Sequence, residues 1–247
     1  MQKDNPDLSV IIPCYNEELI LEDNFNNIKD ILDRAAFEYE IIFVDDGSKD
    51  KTVEIAKKIA QKDKKTKLIC HDKNIGRGKA VEDGIWASRG KIVGFLDIDL
   101  QVPARYIIPL VIEIEKGTDV ATAFRVYDIR LHMIHRFILS KGYNRLLRFM
   151  LNTSIKDSET GFKFFSREKA LPLLQEIKEK HWFWDTEVMV RAELRGYKIK
   201  EIPCLCIREE AQKSTVRIFK DVRYYLINLF RFKKEMERIR AKKRKNG

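Results

Sequence analysis

The sequence predicts an α/β fold: a mostly parallel central sheet flanked by helices, followed by a C-terminal amphipathic helix. Short apolar runs alternate with stretches of helical periodicity through the first hundred residues, which is the signature of a parallel sheet with crossover helices. The first four apolar runs each end in a polar or glycine-bearing cluster. Charge is also divided along the chain. Of 48 basic and 38 acidic side chains, 13 basic and 3 acidic lie between Lys213 and Gly247, so the whole excess of +10 sits there and residues 1–212 are balanced.

The apolar run 8–13 ends in Pro13 and predicts a buried strand. Residues 17–37 place Leu21, Phe25, Ile28, Ile31 and Leu32 near helical spacing. A strand over 39–46, a helix over 50–62, a strand over 67–71, a helix over 78–88 and a strand over 91–96 complete the regular half. Beyond it, helices are expected over 105–116, 131–151 and 184–195, and strands over 119–124, 160–165 and 199–207. An amphipathic helix is expected from Val216 to about Arg240. With no internal repeat and a composition shift only near residue 212, two segments are expected: a catalytic domain over 1–212 and a basic helical tail over 213–247.

Composition excludes several classes. Hydrophobic residues are 44% and charged residues 35%, values of a folded globular chain rather than a disordered or fibrous one. The longest apolar stretch in the tail, Tyr224–Phe230, is interrupted by Asn228 and falls far short of the roughly 20 residues a membrane span needs. The N-terminus has no apolar segment of the secretory type. Four cysteines, three within apolar runs, fit a reducing compartment, and Cys204 and Cys206 stand closer than zinc pairs usually do. A cytoplasmic chain is expected, peripheral on the cytosolic face of a membrane. Its tail interleaves aromatics with Lys and Arg, as helices on anionic leaflets do. A nucleic-acid binder would carry its cations through the body, which is neutral, so no nucleic-acid partner is expected.

The strand-end clusters carry the chemistry. Pro13, Tyr15 and Glu17 follow the first strand; Asp45, Asp46, Gly47 and Ser48 the second; Asn74, Gly76, Arg77, Gly78 and Lys79 the third; Asp97, Asp99 and Gln101 the fourth. In an open α/β sheet that edge binds ligands. Asp-x-Asp at 97–99 offers hard oxygen ligands to Mg²⁺ or Mn²⁺. The segment 45–48 also reads as a helix N-cap, a role compatible with binding. The loop 74–80 lacks both the Walker spacing and the G-x-G-x-x-G pattern, which disfavours a P-loop ATPase or a dinucleotide dehydrogenase. His132 and His135 sit at i, i+3, with no third ligand at matching spacing.

In this order and spacing, IIPCYNE, VDDGSKDKT, NIGRGKAVEDG and FLDIDLQ resemble the family 2 inverting glycosyltransferases of GT-A fold, a Rossmann-like nucleotide-diphospho-sugar transferase architecture. The second half resembles the polyprenyl-phosphate hexose synthases, such as dolichyl-phosphate mannose and glucose synthases. It does so through DLQVP, RFILSKGYNRLLR, DSETGFKFFSR and FWDTE, and the resemblance spans roughly residues 7–215. It implies that Pro13, Tyr15, Glu17 and Asp45 bind the nucleoside of a UDP- or GDP-sugar, with Asp46 assisting. Lys79 is grouped with the same nucleotide-sugar set. Asp97, Asp99 and Gln101 would bind the metal and the donor diphosphate. Arg125, Arg136 and Ser140 would contact donor and acceptor phosphates, with Lys213 and Ser214 near the acceptor, a dolichyl or other polyprenyl phosphate. Dolichyl-phosphate synthases often carry membrane helices or a membrane subunit; here the basic helix is the feature expected to meet the membrane.

Chemistry narrows the second half further. A sugar hydroxyl acceptor needs a carboxylate base, for which Glu159, Asp185 and Glu187 are the candidates, Glu187 beside three aromatics. A phosphate monoester is largely dianionic at neutral pH and needs cationic positioning instead. Arg125, Arg130, Arg136, Lys141, Arg145 and Arg148 supply it, so Asp99, Arg125, Arg136 and Glu187 are the residues expected to carry the reaction. A hydroxyl of a polysaccharide or glycolipid remains the alternative acceptor.

Overall fold

The computed structural model describes residues 5–127, 134–207 and 218–245. Its strands are β1 (Leu8–Cys14), β2 (Tyr39–Asp45), β3 (Thr66–Cys70), β4 (Ile92–Leu96), β5 (Val120–Tyr127), β6 (Phe162–Ser166) and β7 (Ile199–Cys206). Its helices are α1 (Leu21–Asp33), α2 (Thr52–Lys62), α3 (Arg77–Ala87), α4 (Ile107–Glu115, led by a short 3-10 turn), α5 (Ile134–Leu151), α6 (Arg167–Leu174), α7 (Trp184–Leu194) and α8 (Ile218–Lys245).

The strands form one sheet in the order β3-β2-β1-β4-β6-β5-β7. β6 runs antiparallel to both of its neighbours and every other pairing is parallel. The central strands are continuous apolar runs because both sheet faces are covered. On β1, Val10 and Ile12 face a layer built from α1, α2 and α4, while Ile11 faces α3, α6 and α7. The mostly parallel sheet expected from the sequence is therefore present, with one strand inserted in the opposite sense.

Element ends differ from the expectation where side chains intervene. Residues 17–20 form a turn instead of the first turn of α1. The Glu17 N–H donates to Thr52 Oγ1 (2.7 Å) and Asn16 holds a φ of 57°, which together tie this stretch to the next loop before the helix can begin. α2 begins at Thr52 with Lys51, not a residue of 45–48, at its N-cap position; the Thr52 N–H donates to Asp50 Oδ1 (3.0 Å) just ahead of the helix. α6 had no counterpart in the expected elements, because it is short and contains Pro172. The start of the helix expected from Leu131 lies outside the described residues.

The tail helix is longer than expected and is packed on the body. Leu229, Phe232 and Met236 of α8 are buried against Leu147 and Leu151 of α5 and Phe183 and Val190. Each such side chain contributes about 1.5–3 kcal/mol through burial. Arg240 Nη2 donates to the Leu151 carbonyl (2.6 Å), fixing the two helix ends together. The opposite stripe of α8, with Arg223, Ile227, Phe230, Lys234 and Arg238, faces outward. No helix among the described residues is long and apolar enough to cross a membrane.

Candidate active site

β1 pairs with β2 on one side and β4 on the other, so the chain order reverses there and a crevice opens beyond the carboxyl ends of β1 and β4. Loops 15–20, 46–51, 71–76 and 97–103 all leave this edge. Pro13 is buried within β1, opposite Val44 of β2, and Tyr15 is exposed at the start of the loop.

Three acids meet in the crevice. Glu17 is pushed up to about 7, first by burial and then by the charges of Asp99, Asp97 and Asp50. Asp97 is pushed up to about 6 by burial and by Asp99 and Asp185, although Arg77 opposes the shift. Asp99 is held by Gln101, whose backbone N–H donates to Oδ1 (3.2 Å) and whose amide donates to Oδ2 (2.8 Å). This turn is sharp, with Leu100 at a φ of 49°. Among the described residues no group of three or more His, Cys, Asp or Glu is arranged as a ready-made metal site. The donor chemistry nevertheless fits a hard cation: oxygen ligands, two of the three raised first by burial and then by the neighbouring acids.

Asp45 and Asp46 do different work at the end of β2. Asp45 accepts the backbone N–H groups of Gly47 and Ser48 (both 3.0 Å) and the Ser48 hydroxyl, shaping its own turn. Asp46 reaches across to the next loop. It accepts the N–H groups of Ile75 and Gly76 (each 2.9 Å) and pairs with His71 Nδ1 (2.9 Å). Both its oxygens are therefore spent on the 74–76 loop. Gly76 holds a φ of +118°, and a side chain there would strike the Lys180 carbonyl. Lys79 is turned along α3 to Glu82 (3.0 Å) and Asp83 (2.7 Å), and faces these acids rather than the Asp97–Asp99 turn.

Beneath Asp97 lies a buried chain of charges that the sequence reasoning did not assemble. Arg77 Nε donates to Asp97 Oδ1 (2.7 Å) and Nη1 to Asp185 Oδ2 (2.6 Å), its guanidinium lying over the rings of Phe95 and Trp182. Lys163, fully buried on β6, donates to Asp185 Oδ1 (2.8 Å) and to the Thr160 carbonyl. Burial lowers the Lys163 pKa while Asp185 opposes the loss of its charge. The available signal was a lysine inside the apolar run FKFF, which demands a counter-ion. Gly161 was missed as well: a side chain there would sit on Asp97 Oδ2 and Arg77 Nη2.

The remaining expected residues divide into engaged and undescribed. Arg125 is bidentate on Asp157 (Nε–Oδ2 2.7 Å, Nη2–Oδ1 2.8 Å), which holds Asp157 below the usual carboxylate range against the effect of burial. Glu187 is buried and braces the loop before α7, accepting the N–H groups of Lys178 (3.2 Å) and Glu179 (2.9 Å) and Arg191 Nε (2.8 Å). That geometry is a brace rather than a base facing the crevice. Arg136 and Ser140 lie on α5, but their side chains, like all of Lys213 and Ser214, lie outside the described residues.

A three-layer α/β sheet with its acidic turn at the topological switch point is the GT-A architecture. The chain belongs to glycosyl transferase family 2, whose model matches residues 9–171. It is 35% identical over 202 residues to glycosyltransferase AglD of Haloferax volcanii, covering 80% of this chain and 32% of that protein. It is 32% identical over 216 residues to the dolichyl-phosphate beta-glucosyltransferase of Homo sapiens, covering 79% of this chain and 65% of that protein. The chain thus spans less than two thirds of both. With the dolichyl-phosphate beta-glucosyltransferase of Saccharomyces cerevisiae it shares 29% identity over 262 residues, 92% of this chain and 78% of the other. The fold also matches glucosyl-3-phosphoglycerate synthase of Mycobacterium tuberculosis, solved with Mn²⁺, uridine diphosphate and glucosyl-3-phosphoglycerate. The TM-score is 0.63 at 21% identity, covering 85% of this chain and 73% of that one.

Proposed function

We propose that this chain transfers a hexose, with inversion, from a nucleotide sugar to a polyprenyl phosphate at a cytosolic membrane face. The observation that carries the phosphate acceptor is that the carboxylates of the 184–187 segment are both engaged. Asp185 is held between Arg77 and Lys163, and Glu187 holds its own loop and Arg191. A phosphate brings its own nucleophilic oxygen and asks the protein only for position. The names of the curated relatives support the same acceptor.

In this reading Pro13, Tyr15, Glu17 and Asp45 form the nucleoside side of the crevice, and Asp46 and Arg77 act as positioning residues for the 74–76 loop and for Asp97. A divalent cation, Mg²⁺ or Mn²⁺, held by Asp99 with Asp97 and Gln101, would take up the charge that develops on the departing diphosphate. Arg125, Arg136, Ser140, Lys213 and Ser214 are assigned to the phosphate groups. The tail over 213–247 is assigned to an anionic leaflet, which the outer stripe of α8 would meet with Ile227 and Phe230 among its cations.

A donor screen tests the reading. Radiolabelled UDP-glucose, UDP-GlcNAc, UDP-GlcA and GDP-mannose are each incubated with Mn²⁺ and a short polyprenyl phosphate. Organic-phase label from one donor, dependent on the lipid phosphate, is the expected result; label confined to a hydroxyl acceptor overturns it. One observation favours that second reading. Glu159 accepts no hydrogen bond from any described residue and is pushed up to about 7 by burial, with Arg125 opposing and Asp157 and Asp185 adding. That is where a general base is useful.

A further inference from the structure

Glu159 is a carboxylate placed where the proposed reaction calls for cations. It lies on the loop joining α5 to β6, two residues after Asp157, the partner of Arg125, and two before Gly161, which abuts Asp97. Two residues of extended chain reach about 7 Å, so its backbone stays at the Asp97 end of the crevice. The charged groups that act on it are Arg125 from β5, Asp157 from its own loop, Lys163 from β6 and Asp185 from α7. The cations among them are already matched, Arg125 to Asp157 and Lys163 to Asp185. Neither forms an ion pair with Glu159 among the described residues.

An ionised carboxylate in this position repels a phosphate dianion, whereas a protonated one donates a hydrogen bond to it. We propose that Glu159 faces the acceptor phosphate and shares a single proton with it. The inference rests on the reading of the acceptor as a phosphate monoester. The acceptor enters either as the monoanion beside the carboxylate or as the dianion beside the carboxylic acid. In the transfer step the proton resides on Glu159 and a phosphate oxygen forms the bond to the anomeric carbon. The bond from that carbon to the diphosphate oxygen breaks, and its electron pair leaves with the nucleoside diphosphate. Glu159 returns its proton to water once the phosphodiester product departs. Burial already holds Glu159 near 7, and the second ionisation of a phosphate monoester lies near about 6. Two groups so matched hold one proton between them near neutral pH.

The test is the pH profile of kcat/KM for a short polyprenyl phosphate, with saturating donor and Mn²⁺, in the wild-type protein, Glu159→Gln and Glu159→Asp. Wild type is expected to rise as the phosphate loses its second proton and to fall above about 7 as Glu159 ionises. Glu159→Gln keeps the rise and loses the fall. The variant-to-wild-type ratio then climbs about 25-fold between about pH 6.5 and 8.5, as the ionisation of one group near 7 requires. Glu159→Asp restores a fall. Should Glu159→Gln not fold, wild type with a polyprenyl thiophosphate gives the answer. Its lower second pKa moves the rising limb down and leaves the falling limb in place; movement of both limbs overturns the proposal. Parallel profiles in wild type and Glu159→Gln overturn it too, while the phosphate acceptor stands. No lipid-linked product from wild type at any pH, with any of the four donors, overturns the acceptor reading and this inference with it.

Discussion

Up to Leu96, the loops at the crevice are tied by carboxylates that accept backbone N–H groups: Asp45 from its own turn, Asp46 from the 74–76 loop, Asp50 from Glu18 and Thr52. Beyond β4 such ties persist at Asp99 and Glu187, but buried charged side-chain pairs between distant parts of the chain are added. Arg77 reaches Asp185, Lys163 reaches Asp185, Arg125 reaches Asp157, and Arg191 reaches Glu235 on α8. The first kind of tie costs less to break, because a neutral N–H left without its acceptor carries a smaller desolvation penalty than an unpaired charge. The second kind costs more, because removing one partner leaves a buried charge uncompensated.

The sharpest way to break this contrast is Asp185→Ala. It strands Lys163 and Arg77, and a loss of about 3–5 kcal/mol is expected in urea unfolding. Asp46→Ala, which frees the neutral N–H groups of Ile75 and Gly76 rather than a buried charge, should cost clearly less; equal losses would end the distinction. Asp99→Ala should lower transfer by about 10²–10³-fold through lost charge stabilisation, with the unfolding midpoint nearly unchanged. A matching fall in stability would make Asp99 a structural acid. Met236→Ala on α8 should destabilise by about 2 kcal/mol or more, the ordinary cost of a truncated core side chain. If the midpoint does not move, the packing of α8 on α5 and α7 is not part of the folded core.

The smallest effect is on pH dependence. Glu17 is pushed up to about 7 from an ordinary value of 4.5, so the protonated form is the one the fold favours. Its contribution is fully present below pH 4.5 and is lost as pH rises through about 7. The difference in Tm between wild type and Glu17→Gln should therefore shift against wild type across that window in metal-free buffer, and the shift should shrink when Mn²⁺ is added. A flat difference would place Glu17 apart from Asp97 and Asp99.

Much of the first half was legible because its bonds are local. The turn at Asp45–Ser48 and the Asp97–Gln101 turn each lie within a few residues, and β1–β4 follow one another with helices between. The second half hid its organisation. The expected strand over 160–165 exists as β6, but its antiparallel sense depends on where the chain re-enters the sheet between β4 and β5. Glu187 looked like an acid among aromatics, and its real partners, the Lys178 and Glu179 N–H groups, carry no side-chain signal.

The sequence by itself determined the layered sheet, the acidic turn at the end of β4 and the basic tail, because apolar periodicity, turn chemistry and charge counts are properties of contiguous residues. Only the tertiary structure decided that Arg77 joins Asp97 to Asp185, that Asp46 serves the glycine loop, and that one face of the tail helix is spent on the body. Those outcomes depend on which distant groups share a desolvated space. There a charge must find a partner, and no local pattern states which one it will be.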